Sequence, residues 1–306
     1  MSTGDFESQA GPLARRIARL TRALRWRWKG LLRQPRTLLV ELRWRLGDEI
    51  MALPVLEALR ARYPQDRIAV LTNHPDLYLD SPDVDAVNPE GIDPDRYVLL
   101  RGASRLRYRL AEYAARAHVP PPRARPLLHY ASWHTALLDH LPLRGGPLIA
   151  IAAGSTWPTK QWPIARWRAL CRQLHDHGAR LVELGAGNVP AGAGLCLVDR
   201  TTVREAACVL RHADLLVCAD TGLMHLALAV ETPVVALFGP TDPSFLIRDE
   251  PRLTALRSDL PCTGLWNHAP ADYDPAVCPH GHDNCLATIT VEDVLAAVQA
   301  RVPLPR

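Results

Sequence analysis

From residue 148 onward, short apolar runs alternate with segments of helical period. Leu148–Ala152, Ala179–Leu184, Leu215–Ala219 and Pro233–Phe238 are apolar stretches too short to be helices. Between them, Pro163–His177, Val203–His212 and Leu223–Val230 repeat apolar residues every three or four positions, and Val291–Val302 closes the series. An apolar run without alternation is a strand covered on both faces, which arises when each crossover lays a helix over a parallel sheet. The chain is therefore expected to be α/β. A looser series precedes it: Thr37–Arg43, Arg67–Thr72 and Tyr97–Leu100 read as strands. Ile50, Leu53, Leu56 and Leu59 mark a helix, and Arg105–His118 marks another that Pro120–Pro122 stops. The two series meet near Leu143–Pro147, which predicts one domain over 37–145 and a second over 146–306. Ligands of such sheets sit at the carboxyl ends of the strands, here expected in a cleft between the halves.

Residues 1–36 stand apart by charge. Nine basic residues (Arg15, Arg16, Arg19, Arg22, Arg25, Arg27, Lys29, Arg33, Arg36) face only Asp5 and Glu7, whereas the rest of the chain is net −3. A body of that charge is not built to grip nucleic acid. Leu13, Ile17, Leu20, Leu24, Trp28 and Leu31 recur at helical spacing among the arginines. Two readings fit this basic amphipathic helix. Residues 13–33 lie on an anionic membrane surface, with Trp26 and Trp28 at headgroup depth, or the helix packs on its own domain and solvates its arginines. No apolar run approaches the ~18 residues of a spanning helix, and the first residues lack a signal-peptide pattern. The expected location is the cytoplasm, with a peripheral position at the inner face of the inner membrane under the first reading.

Three segments carry candidate chemistry. In Leu215–Ala229 a strand ends in Asp220-Thr221-Gly222 and passes directly into a helix. Free backbone N–H groups and the positive helix end then converge on Thr221–Met224, an anion site. Gly222 allows close approach there, and His225 lies one turn further on. The alternative is a turn that merely caps its helix. In 153–163, Ser155 and Thr156 offer hydroxyls and Lys160 a point charge, unless the loop only covers the sheet edge with Trp157 and Trp162. In Arg45-Leu46-Gly47-Asp48, the carboxylate is placed either to accept a proton from a hydroxyl or to cap the next helix.

Together these segments resemble glycosyltransferase family 9, the heptosyltransferases of the lipopolysaccharide inner core. The resemblance rests on RLGDEIMALPVLEALRARYP (45–64), GSTWPTKQWP (154–163), DLLVCADTGLMHLALAVETPVVALFGPTDP (214–243) and CPHGHDNCLATITVEDVL (278–295). It implies a GT-B fold, two Rossmann-like domains with parallel sheets facing across a cleft, the donor on the C-terminal one. It also implies metal-independent, inverting transfer of heptose from ADP-heptose to a lipid-linked or cell-surface glycan, with no cofactor. Carried onto this chain, Asp48 is the general base. Ser155, Thr156, Lys160, Thr221, Gly222 and His225 become diphosphate ligands, with Asp220 organising their turn. Gly185 and Asn188 stand where relatives contact the nucleoside, but Asn188 replaces an acidic residue. Competing expectations are a related transferase with another nucleotide sugar or a protein acceptor, and a catalytically silent nucleotide-sugar binder. A dinucleotide oxidoreductase lacks its GxGxxG.

Two further clusters are weighed against. Asp83-Val-Asp85 has a metal-binding spacing but lies in a Pro/Asp-rich loop. Cys262, Cys278 and Cys285, with His280 and His282, offer zinc or iron ligands but lack a CxxC pair, so no metal is expected. Cys171, Cys196, Cys208 and Cys218 read as small core side chains.

Overall fold

The computed structural model describes residues 12–32, 35–100, 107–122, 125–130, 135–141, 144–268, 274, 277–278 and 285–304; the side chains of 12–16 lie outside that description. It divides into two compact units. Residues up to 103 and 110–124 form the first, and residues 104–109 and 125–306 the second.

The first unit is built on a parallel sheet of β1 (Thr37–Glu41), β2 (Arg67–Leu71), β3 (Ala86–Val87) and β4 (Arg96–Leu99), in the order β3-β2-β1-β4. β1 is central because Leu38, Leu39 and Val40 are all fully covered. After β1 come α2 (Leu46–Met51) and α3 (Leu53–Arg62). Ala52 serves both as C-cap of α2 and N-cap of α3, with Pro54 in the first turn of α3. Proline is tolerated there because that N–H has no helical partner. Leu53, Val55, Leu56 and Leu59 of α3 are buried. The helix α4 (Arg109–Ala117) buries Leu110, Tyr113 and Ala114.

The arm forms α1 (Pro12–Leu31). It meets its unit through polar and aromatic contacts. Arg25 pairs with Asp93 and Asp95, Lys29 pairs with Asp95, and Trp26 stands edge-on to Tyr63, 5.1 Å between centroids. The stripe of Ile17, Leu20, Leu24, Trp28 and Leu31 is exposed. The helix therefore packs on its own unit, while the described residues leave that apolar stripe uncovered. Trp26 belongs to the packed face, with the Arg36 guanidinium 4.0 Å over its ring, so only Trp28 lies on the exposed stripe.

The second unit carries a six-stranded parallel sheet in the order β10-β9-β8-β5-β6-β7. Its strands are β5 (Leu148–Ala152), β6 (Arg180–Glu183), β7 (Leu195–Cys196), β8 (Leu215–Ala219), β9 (Val234–Phe238) and β10 (Leu253–Arg257). Every residue of β5, β8 and β9 is buried, as their unbroken apolar sequences require. Helices α5 (Ile164–Asp176), α6 (Val203–His212), α7 (Gly222–Ala229), α8 (Leu265–His268) and α9 (Val291–Gln299) complete it. Both α6 and α9 start with reciprocal capping boxes, Thr202 with Glu205 and Thr290 with Asp293. Residues 125–130 pack here as well: the Leu128 N–H donates to the Ala229 carbonyl at 3.0 Å. Cys171, Cys208 and Cys218 are buried, while Cys196 on the short β7 is half-buried; all seven cysteines are free thiols.

Candidate functional site

The second unit gathers its polar groups where β5, β8 and β9 end. β8 stops at Ala219, and Asp220 and Thr221 form the turn into α7. The loop after β5 contains one 3₁₀ turn, Pro158–Lys160, which brings Lys160 to that point. Lys160 Nζ donates to Asp220 Oδ2 at 2.5 Å, and the Thr241 hydroxyl, just beyond β9, donates to the same oxygen at 2.7 Å. Both partners of the ion pair are largely buried. Burial acts to raise the Asp220 pKa, but the Lys160 charge and the two hydrogen bonds outweigh it and hold the carboxyl below its ordinary range. The Lys160 ammonium also sits 4.1 Å over the Trp157 ring.

Thr221 is the N-cap of α7, in an extended conformation, and its side chain makes no capping bond. Its hydroxyl oxygen is buried and has no hydrogen-bond partner. An N-cap threonine ordinarily accepts from the second or third helical N–H, so this turn is not closed upon itself. Thr221 is thus the N-cap by position, without closing the first turn of α7 by its side chain. One turn on, His225 is buried and its pKa is pushed down to about 4. Burial is the main cause; Lys160 and Arg109 act in the same sense, against Asp220. The imidazole is neutral at pH 7, so it can offer a hydrogen bond but no charge.

Ser155 and Thr156 lie in the same loop. The Ser155 hydroxyl accepts from the Trp157 N–H at 3.4 Å, and Thr156 is exposed. Asn188 reaches in from the loop after β6. Its Oδ1 is buried without a partner, and it fills the space that a side chain at Gly154 or Gly185 would need. A Cβ on Gly185 would lie 2.1 Å from that oxygen. The two glycines are thus what admits Asn188 to the carboxyl edge of the sheet. Glu183, in contrast, is structural: its carboxylate accepts N–H bonds from Ala191, Gly192 and Ala193.

In the first unit, Asp48 occupies the first turn of α2, half-buried. The N-caps of α2 and α3 are Arg45 and Ala52, so Asp48 caps neither helix. The Tyr113 hydroxyl donates to its Oδ1 at 3.2 Å. The neighbouring Glu49 is fully buried and ties the segment down. Its Oε1 accepts from the N–H groups of Trp44 and Asn73, and its Oε2 from the hydroxyls of Thr72 and Tyr78. Glu49, Tyr113 and Thr241 were not marked as site residues by the sequence. The available signals were a carboxylate inside the apolar series of α2 and a threonine just past a buried strand.

Asp85 accepts from Arg60 and from the Ile68 N–H. Among the described residues no group of three metal-ligating side chains forms. His280 and His282 lie outside the described residues. Cys285 is buried and donates to the Thr159 carbonyl at 3.4 Å, beside Lys160. Burial, helped by Cys278 and Cys262, pushes its thiol up to about 11. Through its bond to the Thr159 carbonyl it braces the turn that carries Lys160.

A sequence profile described as "Glycosyltransferase family 9 (heptosyltransferase)" matches residues 106–266, more than half of the chain. The chain belongs to glycosyltransferase family 9. The match includes the segments of Lys160 and Asp220 but begins beyond Asp48. Lipopolysaccharide heptosyltransferase 1 of Pseudomonas aeruginosa is 35% identical over 127 residues, 39% of this chain and 36% of its own length. The chain thus spans about a third of that relative. An inactive autotransporter heptosyltransferase, BimC of Burkholderia thailandensis, is 28% identical over 72% of this chain and 57% of its own length. The structure of the ADP-heptose lipopolysaccharide heptosyltransferase II of E. coli superposes with a TM-score of 0.67 at 20% identity, covering 86% of this chain and 98% of that one. The fold, two units each on a parallel sheet, is of the GT-B class.

Proposed function

We propose that this family 9 member is an inverting, metal-independent glycosyltransferase that moves a heptose from ADP-heptose to a lipopolysaccharide-core or related cell-surface glycan. The observation that carries the reading is the start of α7. An uncapped helix end and an unpartnered buried hydroxyl stand beside an ammonium that is held ready on Asp220. Cleavage of the anomeric C–O bond leaves growing negative charge on a diphosphate. Donors already aimed at that place stabilise the transition state more than the ground state, because they need no reorganisation. Thr221, Gly222, Lys160, Ser155 and Thr156 take the diphosphate in this account, and neutral His225 adds a hydrogen bond. Gly185 and Asn188 meet the nucleoside, where the unused Asn188 oxygen can accept. Asp48, steadied by Tyr113, takes the proton from the attacking acceptor hydroxyl.

Similarity to a relative described as inactive supports a second reading, binding of a nucleotide sugar without transfer. One experiment separates the two. The chain is incubated with ADP-heptose and a deacylated core oligosaccharide, and products are analysed by mass spectrometry. A gain of one heptose, lost in Asp48→Asn, supports transfer; donor binding with no product supports the silent reading. Competition with UDP- and GDP-sugars tests the nucleobase. No helix among the described residues is long and apolar enough to cross a membrane. We infer that the chain works as a peripheral protein at the cytoplasmic face of the inner membrane, where a lipid-linked acceptor is exposed.

A further inference from the structure

We propose that α1 is a lipid-docking surface, locked on the first unit with its apolar stripe turned outward to lie on an anionic bilayer. This deepens the peripheral-membrane reading above and rests on it for the bilayer, but not on the sugar-transfer chemistry. One face of α1 is committed to the protein. Arg25 Nε and Lys29 Nζ lie 2.8 and 2.9 Å from the oxygens of Asp95, whose fully buried carboxylate also accepts from the Thr37 N–H at the start of β1. Trp26 is clasped between Tyr63 and Arg36. On the opposite face Ile17, Leu20, Leu24, Trp28 and Leu31 are 53 to 75% exposed. A helix that served only its own core would be turned the other way.

The charge pattern selects the occupant. By helical geometry Arg27 borders the stripe, and α1 carries seven basic and no acidic residues, of which Arg25 and Lys29 are bound to the unit. A second copy seated on the stripe would set two such helices against each other, like charge on like. An anionic leaflet satisfies the stripe and the arginines together, with Trp28 at the interface. Because Arg25 and Lys29 are already bound to Asp93 and Asp95, the helix keeps a fixed orientation on its unit.

Deleting the arm would not test this cleanly, since it would strip Asp95 and Asp66 of their cationic partners. Substitutions on the exposed face do. The full chain, Leu24→Ser/Trp28→Ser and Arg27→Glu are compared by flotation with vesicles of equal parts phosphatidylcholine and phosphatidylglycerol, and with phosphatidylcholine alone. The parent is expected to float with the anionic vesicles and to be released by salt. The double variant is expected to partition about 100-fold more weakly, from the lost apolar burial. Arg27→Glu, a change of two charges, is expected to lose about 30-fold on anionic vesicles only, at roughly 1 kcal/mol per charge. A parent that stays with the unbound protein, or a double variant that floats as well as the parent, overturns the proposal. So does a parent that sediments as a dimer which the double variant dissociates, since that assigns the stripe to a second copy. Calorimetry with ADP on the same samples keeps the two readings apart: flotation without ADP binding sinks the transferase reading alone, and ADP binding without flotation sinks the docking surface alone.

Discussion

Lys160 and Asp220 are both largely buried, and their contact is 2.5 Å, so each is the other's compensation for lost hydration. Lys160→Met keeps the aliphatic stem over Trp157 but leaves the Asp220 carboxylate with Thr241 as its remaining side-chain donor among the described residues. Breaking a buried pair on one side costs about 3–5 kcal/mol, because an uncompensated charge remains. Asp220→Asn strands the ammonium and is expected to destabilise by a similar amount. The double variant removes both charges, and Thr241 can still donate to the asparagine carbonyl; its stability is expected to return to within about 1 kcal/mol of the parent. Affinity for ADP should follow a different order. A charge-assisted bond from Lys160 to a phosphate is worth about 1.5–3 kcal/mol. Lys160→Met and the double variant are therefore expected to bind ADP at least 10-fold more weakly, whereas Asp220→Asn, with its lysine released, binds at least as well as the parent. Guanidinium denaturation and titration calorimetry give the two orders. If ADP affinity merely tracks stability across the four proteins, or the double variant binds like the parent, Lys160 is a structural partner of Asp220 and nothing more.

Three other expectations follow from the geometry. His225 has a folded-state pKa of about 4 against an ordinary 6.5, so burial of the neutral ring contributes stability that is complete above 6.5 and is lost as pH falls toward 4. At pH 5 the parent should have lost about 2 kcal/mol more than His225→Asn, by denaturation at pH 7.5 and 5; equal losses would place the ring in a solvent-like setting. Asp48→Asn should lower transfer about 10²–10⁴-fold while ADP affinity stays unchanged; undiminished turnover would remove Asp48 from the reaction. Gly185→Ala, at φ +157° and with its methyl against the Asn188 amide, should cost more than about 2 kcal/mol, whereas Gly187→Ala, open to space at φ +66°, should cost only about 1. Equal midpoints in denaturant would show that Asn188 yields freely.

The parts of the fold that could be read in advance are those where burial dictates sequence. Leu148–Ala152 and Leu215–Ala219 are apolar at every position because both faces of those strands are covered, and they form β5 and β8 as expected. β10 went unmarked because its sequence, Leu-Thr-Ala-Leu-Arg, lies at a sheet edge and is only partly covered. β3 and β7 are two residues each, too short to establish a period. The break between α2 and α3 fell inside one apolar series, since Ile50 and Leu53 keep their spacing across Ala52.

The same distinction holds at the candidate site. A strand running into Asp-Thr-Gly and a helix is a local pattern, and so the turn at 220–222 was visible. The partners that set its chemistry are not local. Lys160 is sixty residues from Asp220, and Thr241 reaches the same oxygen from a third loop. Likewise, Tyr113 meets Asp48 from a helix sixty-five residues away. Periodicity gave the arm its amphipathic character, but Asp93 and Asp95, which decide which face turns outward, lie in the loop before β4.

The binding place of a diphosphate decides whether the start of α7 is the donor site. A crystal structure of the chain with ADP should place a phosphate oxygen within about 3.2 Å of backbone N–H groups in Thr221–Met224, with Lys160 Nζ turned toward it from Asp220. ADP bound with its phosphates away from the first turn of α7, and Lys160 still seated on Asp220, would contradict it.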